Sequence, residues 1–116
     1  MANNQEIFIR NAMIRNLIDE RQICPMANIT CSNGNAGRVW VPINKNIMYF
    51  CDVKGFAELG ETLETIDLTQ AKVLKASTFI LNPTLKLEYK GDIYTFHGFS
   101  RAALFIDAVK QACSNR

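Results

Sequence analysis

The stretch TLKLEYKGDIYTFHGF, residues 84–99, decides the fold of this chain. Apolar residues at 85, 87 and 89 alternate with charged residues at 86, 88 and 90, and a second run, IYTF, follows Gly91-Asp92. Such alternation predicts a half-buried strand, and a two-residue Gly-Asp connection between two runs predicts an antiparallel hairpin with a type I′ or II′ turn. Because a primed turn requires positive φ, we expect Gly91 in the left-handed region.

The segment that follows the hairpin, SRAALFIDAVKQAC at residues 100–113, predicts an amphipathic helix. Its apolar residues form two adjacent stripes, and its polar residues lie opposite them. The apolar residues are Leu104, Phe105, Ala108, Val109 and Ala112. We therefore expect this helix to pack on a sheet, with Phe105 and Val109 facing the strands.

The residues before the hairpin predict further short strands. The segments are a weak candidate at 27–31, RVWVPI at 38–43, IMYFCDV at 47–53, LETIDL at 63–68 and AKVLKAS at 71–77, with a loop predicted at 54–61. Pro42 removes a ladder donor, so its strand is expected at a sheet edge or at a bulge. About seven strands over 27–99 with no helix between them indicate a mainly β (α+β) fold, an antiparallel bent sheet or partly open barrel.

An additional N-terminal helix is predicted at residues 6–21, where apolar residues recur at 7, 9, 13, 14, 17 and 18. Its stripe of Ile9, Met13 and Leu17 requires cover. The helix could pack on the sheet of its own chain, pair with a second protomer, or lie on a membrane surface. Three arginines balance three acidic residues on its polar face, which is untypical of a membrane-surface helix.

Composition predicts one globular domain over residues 1–116. Hydrophobic residues make up 48% and charged residues 21%, well away from the disordered class. The net charge of +2 comes from scattered basic residues, so no nucleic-acid partner is expected. There is no apolar run of transmembrane length and no signal-peptide pattern, so we expect a cytoplasmic protein.

Residues capable of chemistry are few. The four cysteines contain no CxxC pair, and the single histidine, His97, is far in sequence from any close cysteines. Free thiols and no metal or cofactor are therefore expected. His97 fits a backbone-bonded strand residue better than a catalytic base. We predict no enzymatic activity, and the alternative is a small enzyme assembled from His97, a thiol and a carboxylate.

The run TIDLTQAKVLKASTFILNPTLKLEYKGDIYTFHGF, residues 65–99, followed by SRAALFIDAVKQA, resembles the pleckstrin-homology-like (PH-like) superfold in its GRAM or bacterial form. The resemblance covers residues 27–113. It implies seven strands and a C-terminal helix that plugs one end of the barrel. Phe105 stands where many PH domains place a tryptophan, and residues 6–21 lie outside the shared fold.

This resemblance implies a binding or scaffolding module. PH domains that bind phosphoinositides use a cluster of Lys and Arg from the first two strands and the loop between them. Here that region, residues 29–45, has only Arg38 and Lys45 as cations. Residues 32–37, SNGNAG, could alternatively offer backbone N–H groups to an anion.

We therefore expect a protein partner, including a second copy of this chain, with a peripheral lipid- or anion-binding module as the alternative. Arg38, Trp40 and Lys45 are the candidate anion or partner surface. Ile9, Met13 and Leu17 are the candidate association helix.

Overall fold

The computed structural model describes residues 17–19, 23–55, 58–78, 81–99 and 101–114. Within these ranges the chain forms eight β-strands, one α-helix and a short 3-10 turn. The strands are β1 Met26–Cys31, β2 Ala36–Trp40, β3 Ile43–Asn44, β4 Ile47–Gly55, β5 Glu58–Asp67, β6 Lys72–Ser77, β7 Thr84–Tyr89 and β8 Asp92–His97. The 3-10 turn, Leu68–Gln70, joins β5 to β6, and the helix α1 is Ala102–Ser114.

All strand pairs are antiparallel, in the order β5-β4-β2-β1-β8-β7-β6. The two-residue β3 continues β2 along the same side of β4, because β5 occupies the other side of β4. The sheet therefore has seven strand positions, which confirms the predicted seven-stranded antiparallel architecture. It curls into a half-barrel.

Pro42 lies at the break between β2 and β3. The strand that carries it is flanked by β1 and β4, so the edge alternative is wrong. The bulge alternative is wrong as well, because Trp40 pairs with Cys51 and Ile43 with Met48, which leaves two residues on each strand between these pairs. The Pro42 carbonyl accepts a hydrogen bond from the Tyr49 amide at 2.9 Å, and the Val41 amide donates to the Pro25 carbonyl at 2.8 Å. An interior strand accommodates proline here because only one ladder donor, the missing amide of Pro42, is lost.

The β7–β8 hairpin turns at Lys90 and Gly91, with φ of 51° and 84°. Two positive φ values define a type I′ turn, so the expected conformation of Gly91 is confirmed. The central pair is Lys90-Gly91 rather than Gly91-Asp92, because Asp92 pairs with Tyr89. This register places Leu87 opposite Tyr94 and Leu85 opposite Phe96, all four facing the core, which a one-residue slip would destroy.

Gly91→Val is expected to lower the free energy of unfolding by about 1–2 kcal/mol, because a Cβ is strained in the left-handed region. Gly37→Val is the matched control, since Gly37 lies in β2 and an added Cβ there has no atom within 4 Å. Urea unfolding measures both variants. Equal stability of Gly91→Val and the wild type would contradict the turn assignment.

The predicted loop at 54–61 is wrong, because β4 continues to Gly55 and β5 begins at Glu58. Gly60 sits inside β5 and packs against the backbone of β4. A Cβ at this position would lie 2.6 Å from the Asp52 carbonyl oxygen. Gly60 therefore permits a close approach of two strands in an irregular stretch of the ladder, whereas its sequence context suggested a turn.

Helix α1 closes one end of the half-barrel beside the 3-10 turn. Phe105 and Val109 are fully buried, as expected, and Ile106, Ala108 and Ala112 are buried with them. The Phe105 ring lies 5.1 Å from Phe99 and 6.0 Å from Phe96, measured between centroids. Phe96 in turn contacts Phe50 at 5.8 Å, so one aromatic cluster joins the helix to both halves of the sheet.

Candidate functional site

The loop between β1 and β2, residues 32–35, lies where the resemblance places an anion site. Its own backbone uses the N–H groups that an anion would need. The Gly34 amide donates to the Cys31 carbonyl at 2.9 Å, and the Cys31 amide donates to the Asn35 carbonyl at 2.8 Å. The Asn35 amide donates to Asn33 Oδ1 at 2.9 Å. The alternative of a backbone anion nest at 32–37 is therefore not supported by the loop's geometry.

Ser32 ties this loop to the start of β8. Its amide donates to the Ile93 carbonyl at 2.9 Å, and its hydroxyl accepts from the Ile93 amide at 2.9 Å. The same hydroxyl donates to Asp92 Oδ1 at 3.3 Å. A carboxylate thus stands beside the loop, and its negative charge disfavours a second anion there.

The candidate residues Arg38, Trp40 and Lys45 occupy different places on the sheet. Arg38 is exposed on β2, where its Nε donates to Met26 Sδ, and Trp40 is half-buried at the end of the same strand. Lys45 lies in the turn between β3 and β4 with φ of 57°, and its amide donates to Asp19 Oδ2 at 2.7 Å.

The two cations are not brought together. Val39, next to Arg38, pairs with Asp52 on β4, whereas Lys45 precedes β4 at its other end. At about 3.3 Å per residue, the stretch of β4 from 47 to 52 spans about 17 Å. At that separation the two side chains do not form the compact cluster of donors that the phosphoinositide-binding PH domains use.

Most of the predicted N-terminal helix at 6–21 lies outside the described residues, including Ile9 and Met13. Residues 17–19 are described and have no regular secondary structure, so the prediction that the helix continues through them is wrong. Leu17 and Ile18 are 7% and 4% exposed, so both side chains are covered. The segment is also tied to the sheet through the Asp19 carboxylate, which accepts the Lys45 amide.

All four cysteines are free thiols, as predicted. Burial raises the pKa of Cys24, and the nearby Cys51 raises it further, which keeps the Cys24 thiol protonated and weakly nucleophilic. His97 lies on β8 between Asn28 and Thr84. Among the described residues, no three His, Cys, Asp or Glu side chains converge on one point.

Tyr94 and Glu64 form a polar contact inside the half-barrel. Tyr94, on β8, donates its hydroxyl to Glu64 Oε1 on β5 at 2.5 Å. Burial raises the pKa of Tyr94, and the hydrogen bond to the Glu64 carboxylate raises it further. This pair joins two strands that are four positions apart in the sheet, which indicates a structural role.

Sequence reasoning missed the two apolar side chains that point to solvent from the outermost described strands. Leu63 on β5 is 62% exposed and Leu74 on β6 is 42% exposed. Each leucine has a charged residue directly after it and another two positions before it, a pattern visible in the sequence. The pattern was overlooked because alternating polar and apolar residues also predict ordinary half-buried strands.

None of the helices that the structure describes is long and apolar enough to cross a membrane.

An antiparallel half-barrel of seven strand positions, closed at one end by a C-terminal helix, is a PH-like fold. Solved structures show the same likeness. The PH domain of ArhGAP27 is similar with a TM-score of 0.59 and 15% identity over 78% of this chain and 97% of that chain. A Vav1 structure, the apo form of its activated truncation, has a TM-score of 0.67 and 12% identity over 97% of this chain and 33% of that chain.

A second Vav1 structure, bound to an allosteric inhibitor, has a TM-score of 0.65 and 14% identity over 80% of this chain and 26% of that chain. This chain thus spans about a quarter to a third of the Vav1 chains. At these identities the likeness establishes the fold alone. No family model matches the sequence, and no curated protein matches it either.

Proposed function

We propose that this chain is a non-enzymatic binding module whose partner is a protein, including a second copy of itself, rather than a phosphoinositide membrane. The observation that carries the proposal is the β1–β2 loop, whose amides at Cys31, Ser32, Gly34 and Asn35 are already hydrogen-bonded within the chain. A phosphoinositide head group needs several donors held in one concavity. Instead of further donors, the Asp92 carboxylate of β8 lies beside this loop.

The protein-binding side of the proposal is supported by exposed apolar residues on strands at the ends of the sheet. Leu63 and Leu74 are both exposed although they belong to regular strands. Large exposed apolar side chains on outermost strands are typical of contact surfaces, because the strand also presents backbone donors and acceptors to a partner.

The non-enzymatic assignment is supported by the placement of the reactive side chains. The Cys24 thiol has a raised pKa, and Cys31, Cys51 and Cys113 are buried. The cross-strand neighbours of His97 are an amide and a hydroxyl residue, Asn28 and Thr84. Neither neighbour is a thiol or a carboxylate, the two groups that an enzyme site built on His97 would need beside it.

We infer further that the module acts in the cytoplasm, where thiols stay reduced, because all four cysteines are free. We assign it to the GRAM or bacterial form of the PH-like superfold on the strand pattern of residues 65–99 alone. We also propose that the N-terminal segment, residues 6–21, packs on its own domain. The buried Leu17 and Ile18 and the hydrogen bond to Asp19 support this placement.

Vesicle co-sedimentation tests the choice of partner. The full chain is titrated with phosphatidylcholine vesicles, with and without phosphoinositide, at low and high salt. We expect no saturable increase in the bound fraction, because Arg38 and Lys45 do not form a compact cluster of donors.

The variants Arg38→Ala and Lys45→Ala are compared with Lys110→Ala, a control on the exposed side of α1. Salt-sensitive, sub-micromolar binding that Arg38→Ala and Lys45→Ala abolish and Lys110→Ala retains would overturn the proposal in favour of a lipid-binding module.

A further inference from the structure

The outermost described strands, β5 and β6, each pair with a single described strand, β4 and β7 respectively. They carry the same side-chain pattern with opposite charges. Residues 61–64 of β5 read Glu-Thr-Leu-Glu, and residues 72–75 of β6 read Lys-Val-Leu-Lys. Each segment has a leucine in the third place, with charged residues in the first and fourth.

The β5 edge is acidic. The strand contains four acidic residues and no basic one: Glu58, Glu61, Glu64 and Asp67. Glu64 is engaged with Tyr94, and Asp67 accepts hydrogen bonds from Thr69. Glu61 and Leu63 are both exposed. Leu63 is the extra residue of a bulge, because Glu64 pairs with Phe50 and Thr62 pairs with Cys51.

The β6 edge is basic. Lys72 and Lys75 are exposed, and the strand contains no acidic residue. A register shift between Val73 and Lys75 makes Leu74 the extra residue of a bulge. Lys75 pairs directly with Lys86 on β7, and like charges in that position are destabilising. Among the described residues, neither lysine makes an ion pair, so an acidic partner would relieve this repulsion.

We propose that β5 of one copy pairs with β6 of a second copy, so that the chain associates head to tail. This inference rests on the proposed self-association and names its surfaces. Six antiparallel pairings link the seven strand positions, so β5 and β6 run in the same direction. Copies that continue the sheet therefore join these edges in parallel, with Glu61 opposite Lys72 and Leu63 opposite Leu74.

Charge complementarity selects this pairing over the symmetric ones. Two β5 edges would bring acidic residues together, and two β6 edges would bring lysines together, both of which are unfavourable. Lysine side chains also protect edge strands from unwanted pairing. That role accounts for the lysines of β6, but it does not account for the acidic residues and the exposed leucine of β5. Because the two surfaces differ, the association does not stop at a dimer unless it closes into a ring.

Sedimentation velocity of the full chain tests the pairing with two edge variants. Leu63→Lys places a lysine against the basic β6 edge of the next copy and leaves its own β6 native. Leu74→Asp places a carboxylate against the acidic β5 edge of the next copy and leaves its own β5 native. Both leucines are exposed, so each variant is expected to fold, which far-ultraviolet circular dichroism checks. The wild type should show a mass that rises with concentration, and each variant alone should remain a monomer.

An equimolar mixture of the two variants should associate again. Each variant supplies the native edge that the other lacks, and the two substituted edges carry opposite charges. If a leucine variant fails to fold, Glu61→Lys and the double variant Lys72→Glu, Lys75→Glu replace the pair. Each of these should associate less than the wild type, and mixing them should restore association.

Three results would overturn the pairing. If both leucine variants associate like the wild type, self-association stands but runs through another surface, such as the N-terminal helix. If Leu63→Lys is monomeric while Leu74→Asp still dimerises, two β5 edges pair with each other. If the wild type stays monomeric up to about 1 mM, the weak limit of specific association, self-association itself is wrong.

Discussion

Phe105→Ala is expected to lower the free energy of unfolding by about 3–5 kcal/mol, the cost of lost burial plus the cavity that remains. Phe105 is 1% exposed and contacts the rings of Phe96 and Phe99. Removal of the ring therefore breaks the link between α1 and the sheet. Chemical denaturation monitored by circular dichroism measures the change.

Leu104→Ala is the matched control, because Leu104 is the adjacent residue on α1 and is 56% exposed. It should change stability by less than about 0.5 kcal/mol, as is usual for surface positions. Equal effects of the two substitutions would mean that α1 does not close the half-barrel with its Phe105 face.

Tyr94→Phe is expected to lower the free energy of unfolding by about 1.5–3 kcal/mol, the range for a hydrogen bond to a charged group. The substitution keeps the ring, which is 5.7 Å from Phe50, and removes only the hydroxyl that donates to Glu64. Tyr89→Phe is the control, since the half-buried Tyr89 ring lies beside Lys90 at the hairpin. If Tyr94→Phe lowers the free energy of unfolding no more than Tyr89→Phe does, the hydrogen bond to Glu64 contributes nothing to stability.

The contribution of the Tyr94 hydroxyl to the free energy of unfolding should also depend on pH. Burial and the Glu64 carboxylate raise the pKa of Tyr94 above its ordinary value of 10.0. Below about pH 10 the hydroxyl is neutral in both states, so the full stabilisation is present. As the pH rises further, the unfolded tyrosine ionises first, and the folded state loses stability. The difference between wild type and Tyr94→Phe should therefore shrink above about pH 10.

The sequence predicted the second half of the fold well because its signals there are local. Alternation at residues 85–89 and the glycine at 91 define a hairpin with little help from distant residues, and the structure places both as expected. The closing helix follows from its apolar stripes in the same way. The turn lies one residue earlier than predicted, at Lys90-Gly91. Pairing of core residues such as Leu85 and Phe96 sets the register of the hairpin, and the register determines which two residues form the turn.

Predictions that depended on distant neighbours were less successful. Gly60 lies in a strand because it must approach the backbone of Asp52, a contact that no local pattern reveals. Pro42 is interior because its carbonyl still accepts the Tyr49 amide and only its own missing donor is lost. In both cases a residue that usually ends a strand is tolerated because of contacts with a distant strand.

The candidate site could be only partly predicted. The shortage of cations in residues 29–45 is visible in the sequence, and it argued against a phosphoinositide site. The sequence does not show that Arg38 and Lys45 lie at opposite ends of β4, or that the loop amides are satisfied internally. The strand order shows that β5 and β6 are the two ends of the sheet. Only with that information do their opposite charges suggest that the two edges could pair.

The proposed protein-binding function requires that the β1–β2 loop is not an anion site. An amide NMR titration of the full chain with a soluble inositol polyphosphate tests it most directly. We predict no saturable, residue-specific shift changes at residues 31–38, because the amides there that would bind a phosphate already have acceptors. Saturable changes centred on these residues, lost in Arg38→Ala, would contradict the claim.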